Sequence, residues 1–208
     1  MGSGIPEGFV DLQAVVPDLL VDLAYLGRDN FVGAPIDGYH EAVCLLSRPA
    51  AEALAGVQQH LAGFGFGLKV FDAYRPARAV AHFLRWAADP ADEARKADYY
   101  PHLPKAELFS RGYLAERSGH SRGSTLDLTI VDRASGAELA MGTAFDWFGE
   151  ESWPGTLTVA AEARANRLML RQVMAEAGFL PNEQEWWHFT LAAEPWPDTY
   201  FDFPVRRP

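Results

Sequence analysis

Two histidines and two carboxylates in two short segments have the residue types that hydrolytic metal chemistry requires. His120 and Asp127 lie in the segment SGHSRGSTLD, residues 118–127. Glu185 and His188 follow in the segment EWWH. A catalytic zinc site needs three protein ligands, an open position for water, and a base that takes the proton of that water. His120, Asp127 and His188 therefore form a candidate ligand set, with Glu185 as the candidate base.

Each of these residues taken alone has a more common interpretation. A histidine near a turn is usually a surface or core residue, and a carboxylate on a strand often caps or pairs. The combination favours a metal site, because two imidazoles and one carboxylate leave the fourth position of a tetrahedral zinc ion open. Gly123 lies between His120 and Asp127 and allows the backbone to turn, so that a loop and the next strand can face one ion. Spacing alone leaves metal binding and purely structural roles as open alternatives.

Two predicted strands position these side chains. Residues 125–130 alternate between polar and apolar side chains, which predicts a half-buried strand with Asp127 on its polar face. Residues 186–191 predict a final strand. Glu185 and His188 are three residues apart, so a straight strand would point them to opposite faces. We therefore expect Glu185 to precede the strand, on a turn that directs it towards the metal site.

Helical periodicity predicts three longer helices. The first is expected after Ser47, which can cap it, with Pro49 in its first turn and its end at residues 63–67. Two more are expected over residues 77–87 and 159–177.

The order of the elements decides the predicted fold class. Residues 68–71 predict a further strand, and residues 88–117 an irregular segment that could close a small cavity. Strands and helices do not alternate in a regular β-α-β order, which favours the α+β class. We predict a single domain over residues 1–208, with a small, mostly antiparallel sheet flanked by helices and the zinc site on the sheet face.

Length, charge and hydropathy exclude several function classes. A chain of 208 residues suits one well-buried core, and its 12% of aromatic residues can fill that core or wall a small pocket. The net charge of −10 argues against a nucleic-acid partner, because phosphate binding requires clustered Lys and Arg. The chain has no apolar run of about 18 residues, so no membrane span is expected. Cys44 is the one cysteine and lies between apolar residues, which predicts a buried free thiol.

The N-terminus bears on the compartment. No secretory signal is visible, which favours the cytoplasm. Residues 1–4, Met-Gly-Ser-Gly, resemble the remnant of an expression tag. If a native leader was removed there, the periplasm is the alternative.

The two metal motifs resemble the paired zinc motifs of the VanX-type D-alanyl-D-alanine dipeptidases. The SxHxxGxxxD pattern alone would also admit the broader group of zinc D,D-peptidases. Further blocks along the chain narrow the resemblance to the dipeptidase branch. These blocks are DNF at residues 29–31, DGY at 37–39, DAYRP at 72–76, MGTAFD at 141–146 and YFDFP at 200–204.

The resemblance implies a role for each matching residue in the chemistry. His120, Asp127 and His188 would hold one zinc ion per chain. Glu185 would act as general base towards water, and then as the acid that protonates the departing amine. Arg75 would stabilise the oxyanion of the tetrahedral intermediate. A structural ion pair of Arg75 with Asp72 or another carboxylate is the alternative.

The resemblance also implies the substrate, which would be the D-Ala-D-Ala dipeptide, hydrolysed to free D-alanine. Asp146 would receive the substrate ammonium, and Tyr25, Tyr39 and Ser118 would contact the substrate. One position departs from the pattern: Gly119 stands where close relatives carry a second Ser, which bears on the exact dipeptide preference.

Other functions stay open at this point. A zinc D,D-carboxypeptidase or endopeptidase would use the same motifs on longer peptidoglycan stem peptides. A non-catalytic zinc-containing module could bind peptidoglycan fragments, although binding requires neither a base nor an oxyanion partner. A dipeptidase could serve glycopeptide resistance or the recovery of D-alanine. The oligomeric state is equally open.

Overall fold

The computed structural model describes residues 4–207, so the predicted tag remnant at residues 1–4 lies outside the described part except for Gly4. The strands in chain order are β1 (Phe9–Asp11), β2 (Leu20–Val21), β3 (Leu45–Ser47), β4 (Phe66–Asp72), β5 (Thr125–Asp132), β6 (Phe179–Pro181) and β7 (His188–Leu191). Five of them form one sheet in the order β2-β4-β5-β7-β6, and β1 pairs with β3 in a separate ribbon. Only β2 runs parallel to its neighbour, so the predicted α+β class with a mostly antiparallel sheet is confirmed.

Five α-helices flank these strands in the described residues. They are α1 (Leu12–Val15), α2 (Arg48–Ala62), α3 (Ala77–Ala87), α4 (Lys96–Tyr99) and α5 (Ala161–Glu176). The predicted bounds of α3 are confirmed, and α5 begins two residues later and ends one residue earlier than expected. The predicted irregular segment at residues 88–117 holds α4 and one short 3₁₀ helix. Within residues 4–207, none of the helices combines the length and the apolar character that a membrane crossing needs.

The capping role predicted for Ser47 is wrong. Ser47 does occupy the N-cap position of α2, with Pro49 in the first turn, but its side chain makes no capping hydrogen bond. Its hydroxyl instead lies 2.8 Å from the hydroxyl of Ser124. Because Ser47 ends β3 and Ser124 immediately precedes β5, this contact ties the two-stranded ribbon to the central sheet.

The prediction of a half-buried β5 is also wrong, because both of its faces are buried. The apolar face, with Leu128 and Ile130, packs in one core cluster with Leu54 of α2 and Leu170 of α5. The polar face is buried as well, and Asp127 on it is only 2% exposed. The alternating pattern predicted the polarity of each face correctly. It could not predict the burial of the polar face, because polar residues in a buried site alternate in the same way as polar residues exposed to solvent.

A second core cluster, rich in aromatic rings, covers the region beside the polar face. Phe31 packs against Phe83 at a centroid distance of 4.8 Å, against Trp86 at 5.1 Å and against Phe148 at 5.2 Å. Cys44 is buried, as predicted, and belongs to the first cluster. The aromatic residues thus fill a core, and several of them also wall the pocket described below.

Arg167 of α5 anchors the long connection between β5 and α5. Its guanidinium donates to the carbonyl oxygens of Met141 at 2.7 Å, Trp153 at 3.0 Å and Glu151 at 2.8 Å. The side chain is 2% exposed, and burial lowers the pKa of Arg167 to about 10. This connection carries Asp146, so Arg167 fixes a candidate site residue from a distance.

Replacing Arg167 by Met should lower the free energy of unfolding by about 3 kcal/mol, because one buried and two partly buried carbonyl groups lose their donor. Arg171→Met is the matched control on the same helix. Its guanidinium pairs with the exposed Glu183, so its loss should cost less than about 1 kcal/mol. Urea unfolding of both variants measures the difference, and equal destabilisation would contradict the anchoring role.

Candidate active site

Strand register brings three side chains into one row across the sheet. Asp127 of β5 lies opposite Asp72 of β4 on one side and opposite His188 of β7 on the other. A register shift interrupts β4 between Val70 and Asp72, and such bulges often re-aim a side chain beside an active site. Residues directly opposite each other in an antiparallel pair point to the same face. Two carboxylates and one imidazole therefore meet on the polar face of the sheet.

His120 completes the set from the 3₁₀ helix Gly119–Arg122, which directly precedes β5. The Ser118 hydroxyl accepts a hydrogen bond from the His120 N–H at 3.3 Å and so caps this helix. Gly123 ends it with a φ of 83°, in the left-handed region, where a Cβ would lie 2.4 Å from the Phe9 ring. The turn expected at Gly123 is thus confirmed, and a side chain is excluded there by both backbone conformation and space.

The distances between the three candidate ligand groups fit one small metal ion. His120 Nε2 lies 3.3 Å from His188 Nδ1 and 3.3 Å from Asp127 Oδ2, and His188 Nδ1 lies 3.0 Å from Asp127 Oδ1. Ligand atoms at roughly 2.0–2.1 Å from a tetrahedral ion are about 3.3 Å apart. The observed separations are close to that value, so His120, Asp127 and His188 could hold a metal ion between them.

Hydrogen bonding, burial and nearby charges orient His120 and favour the protonation states of His120 and Asp127 that bind a metal ion. His120 Nδ1 donates to the Ala73 carbonyl oxygen at 2.7 Å, which directs Nε2 towards the other ligand atoms. Burial lowers the pKa of His120, which favours the neutral imidazole that a metal binds. Burial alone would raise the pKa of Asp127, but His120 and His188 outweigh it and hold that pKa below its usual range.

Arg75 joins the two carboxylates of the row. Its Nε donates to Asp72 Oδ2 at 2.8 Å, and its Nη2 lies 3.5 Å from Asp127 Oδ2. The guanidinium also lies over the Tyr25 ring at 4.9 Å. The structural pairing with Asp72 that the sequence left open is therefore real, and Arg75 lines the pocket as well.

Glu185 precedes β7, as predicted, because that strand begins at His188, two residues later than expected. Its Oε2 accepts a hydrogen bond from Asn182 Nδ2 at 3.1 Å and lies 3.5 Å from His188 Nδ1. Burial raises the pKa of Glu185 to about 7. The carboxylate thus stands beside the candidate metal position without belonging to the ligand set.

Asp146 reaches the pocket from a strained turn. Its φ of 59° is the one positive φ of a non-glycine residue among residues 4–207, and such strain is common at functional positions. Tyr25 donates its hydroxyl hydrogen to Asp146 Oδ2 at 2.8 Å. Burial, followed by the negative charge of Asp127, raises the pKa of Asp146 well above its usual value. A cation bound beside Asp146 would relieve this cost.

These side chains surround a pocket of about 190 Å³. It is smaller than the roughly 300–1,000 Å³ typical of drug-sized ligands. Eight of the nine predicted site residues line it: Tyr25, Arg75, Ser118, His120, Asp127, Asp146, Glu185 and His188. Residues 112–115 and Arg117 form part of its wall, which fits the cavity-closing role expected for the irregular segment.

Tyr39 is the predicted site residue that does not line the pocket. It is 6% exposed, and its hydroxyl donates to Asp72 Oδ1 at 2.6 Å. Tyr39 therefore lies outside the pocket and contacts the candidate site only through its hydrogen bond to Asp72.

Sequence reasoning missed Asn182 and Arg117, both of which line the pocket. The position of Asn182, three residues before Glu185, was the available signal. Nothing in the sequence distinguished Arg117 from other surface arginines.

The glycine that departs from the family pattern has a structural cause. A Cβ on Gly119 would lie 2.9 Å from Thr125 Oγ1, which is too close. That hydroxyl is 2.9 Å from Thr190 Oγ1 and joins β5 to β7. A serine at position 119 would therefore displace a contact between the two strands that carry Asp127 and His188.

Comparisons with known proteins agree with this geometry. The sequence model of a peptidase family described as D-ala-D-ala dipeptidase matches residues 6–206. A D-alanyl-D-alanine dipeptidase of Enterococcus faecalis is 42% identical, over 96% of this chain and 98% of the relative. Proteins of the same name from Streptomyces coelicolor and Enterococcus faecium are 44% and 40% identical, over 95% and 96% of this chain and 98% of each relative. The solved LdcB LD-carboxypeptidase structure, with a TM-score of 0.46 and 17% identity over 93% of this chain and 72% of that chain, is too distant to bear on function.

Metal affinity should fall as the pH falls. Burial alone would lower the pKa of His188, but its hydrogen bond to Asp127 and the charges of Asp127 and Glu185 outweigh this and raise it. Below that raised pKa the metal-free protein holds a proton on His188 that must leave before an ion binds. Affinity should then drop about tenfold per pH unit for each displaced proton. Competition with a chelator between pH 5.5 and 8.5 measures it, and pH-independent affinity would exclude His188 as a ligand.

Proposed function

This chain belongs to the D-Ala-D-Ala dipeptidase family of peptidases, and on that premise we propose that it hydrolyses the D-Ala-D-Ala dipeptide to free D-alanine with one zinc ion per chain. The observation that carries the proposal is the convergence of His120, Asp127 and His188 on one point, with Glu185 beside it in a pocket of dipeptide size.

Zinc is the metal that these donors favour. Two imidazole nitrogens and one carboxylate oxygen suit an ion with mixed nitrogen and oxygen ligands, and three protein ligands leave a fourth position open, as catalytic zinc sites require. When bound, zinc would supply a Lewis acid and lower the pKa of a coordinated water to roughly 7. The remaining catalytic work falls to the side chains of this chain.

Glu185 moves the protons. Its carboxylate takes one proton from the attacking water while the water oxygen forms a bond to the scissile carbonyl carbon. The same group then gives that proton to the amide nitrogen, so that the C–N bond breaks and a neutral amine leaves. The hydrogen bond from Asn182 holds Glu185 in place, and a pKa of about 7 suits a group that must accept and return a proton near neutral pH.

Arg75 stabilises the negative charge that develops on the carbonyl oxygen. A guanidinium that is already fixed costs little reorganisation during the reaction. Asp72 fixes the Arg75 guanidinium by accepting a hydrogen bond from its Nε, and the Tyr25 ring packs against the guanidinium. Arg75 thus combines the structural ion pair and the oxyanion role, which the sequence presented as alternatives.

Asp146 receives the substrate ammonium, with Tyr25 orienting its carboxylate. The pKa of Asp146 is raised because its carboxylate is buried and lies near other negative charges. The positive charge of a substrate ammonium would stabilise the ionised carboxylate. Ser118 contacts the substrate at the other side of the pocket. The small volume and the wall at residues 112–115 and Arg117 favour a dipeptide over a longer stem peptide.

Release of free D-alanine from D-Ala-D-Ala tests the function directly. The zinc-loaded protein should release it, chelation should abolish release, and added zinc should restore it. A peptidoglycan pentapeptide, tested in parallel, should be cut at least about a hundredfold more slowly, because its extra residues do not fit the pocket. Faster cleavage of the pentapeptide than of the dipeptide would contradict the dipeptidase proposal and indicate a D,D-carboxypeptidase or endopeptidase.

The Glu185→Gln variant separates catalysis from metal binding. It should keep its zinc, since Glu185 is not in the ligand set, and lose about a hundredfold or more in kcat, since the proton acceptor is gone. Glu183→Gln removes a neighbouring exposed carboxylate and should leave kcat unchanged. Metal analysis and steady-state kinetics on both proteins decide the matter. Full activity of Glu185→Gln would remove Glu185 from the mechanism.

A further inference from the structure

The charged groups that line the pocket leave one cation without a carboxylate partner. Three carboxylates line it, those of Asp127, Asp146 and Glu185, together with two guanidinium groups, those of Arg75 and Arg117. Arg75 is engaged by Asp72 and Asp127. Arg117 has no ion pair and no hydrogen bond to any residue in the described range 4–207. Its charge is therefore available to a ligand.

An aromatic ring holds the Arg117 side chain in position. Its Cζ lies 5.1 Å from the centre of the Tyr200 ring, and Cζ of Arg122 lies 5.8 Å from the same ring. Both Arg122 Nε and Nη2 donate to Glu194, so Arg122 is neutralised. Stacking orients a guanidinium without using its N–H groups. Arg117 is thus oriented by Tyr200 while its donors stay free.

Arg117 stands at the opening of the pocket. Arg117, Ser118 and Val80 line both the inner pocket and an adjoining outer cavity of about 250 Å³. Glu116 lines the outer cavity only. Arg117 therefore lies where the two cavities meet, and its chain neighbour Glu116 contributes no carboxylate to the inner pocket.

We propose that Arg117 binds the C-terminal carboxylate of the substrate and thereby selects peptides that end one residue after the scissile bond. This inference rests on the proposed function. A dipeptide zwitterion carries an ammonium and a carboxylate at opposite ends. With the ammonium at Asp146 and the scissile carbonyl beside Glu185, the carboxylate must avoid three negative side chains. Arg117 is the lining cation that no protein carboxylate occupies, and its planar fork matches a carboxylate in two parallel hydrogen bonds.

The same contact discriminates against longer peptides and blocked ends. An amide in place of the terminal carboxylate offers the guanidinium no negative charge. A further residue moves the carboxylate out of the inner pocket, away from the Arg117 donors. Arg117 therefore recognises the C-terminal carboxylate of the substrate, and Asp146 recognises its N-terminal ammonium.

Binding of two ligands that differ only at this end tests the proposal. D-Ala-D-Ala and its C-terminal amide are titrated calorimetrically into zinc-loaded Glu185→Gln protein, whose slowed turnover leaves the ligands largely intact during the titration. The acid should bind about tenfold more tightly than the amide, as expected for a charge-assisted pair of hydrogen bonds between a guanidinium and a carboxylate. Adding Arg117→Gln should abolish this preference by weakening the acid alone, and Arg117→Lys should restore part of it.

Arg133→Gln in the same background is the control, because it removes an equal charge from a residue that pairs with Asp18 outside the pocket. It should leave the preference intact. A preference that survives Arg117→Gln, an equal weakening of acid and amide, or binding of neither ligand would overturn the proposal. D-alanine release by the protein with Glu185 intact is scored separately. Its failure would count against the proposed function, whereas the acid-to-amide ratio decides the role of Arg117.

Discussion

The structure depends on two buried carboxylates that face each other on adjacent strands. Asp72 and Asp127 are cross-strand partners and are 0% and 2% exposed. Like charges directly opposite each other are destabilising, and burial adds to the cost. Arg75 lies between them and offsets part of this cost, and a cation held by Asp127 would offset more. The need to balance these charges therefore explains why an arginine and a metal ion belong side by side in this pocket.

Asp72 contacts three other side chains in and behind the candidate site. It accepts a hydrogen bond from Tyr39, binds Arg75, and lies 3.5 Å from His120 Nδ1. Burial raises the pKa of Asp72, with Arg75 acting against that rise. One buried carboxylate thus orients both Arg75, the proposed oxyanion partner, and His120, a candidate metal ligand. A slip of one residue in strand register would turn the side chain of Asp127 or His188 to the opposite face and dismantle the site.

The sequence predicted those parts of the site whose geometry is local. His120 and Asp127 lie within one loop and strand, and the period of two placed Glu185 before β7. The bounds of α3 could also be predicted locally, since Asp89-Pro90 is a stop signal just after the helix. Contacts between distant segments could not be predicted, since no pattern within one segment indicates them. The hydrogen bond of Tyr39 to Asp72, the burial of the polar face of β5, and the unpaired guanidinium of Arg117 are of this kind.

The strand order has a consequence for synthesis on the ribosome. β7 occupies the position between β5 and β6, yet it is the last strand of the sheet to be translated. Until it emerges, β5 presents an open backbone edge, which is prone to pairing with another chain. The nascent protein therefore has to shield this edge while the 55 residues from Arg133 to Trp187 are translated. The strand that brings His188 also closes this edge, so completion of the candidate site and protection of the edge of β5 occur in the same folding step.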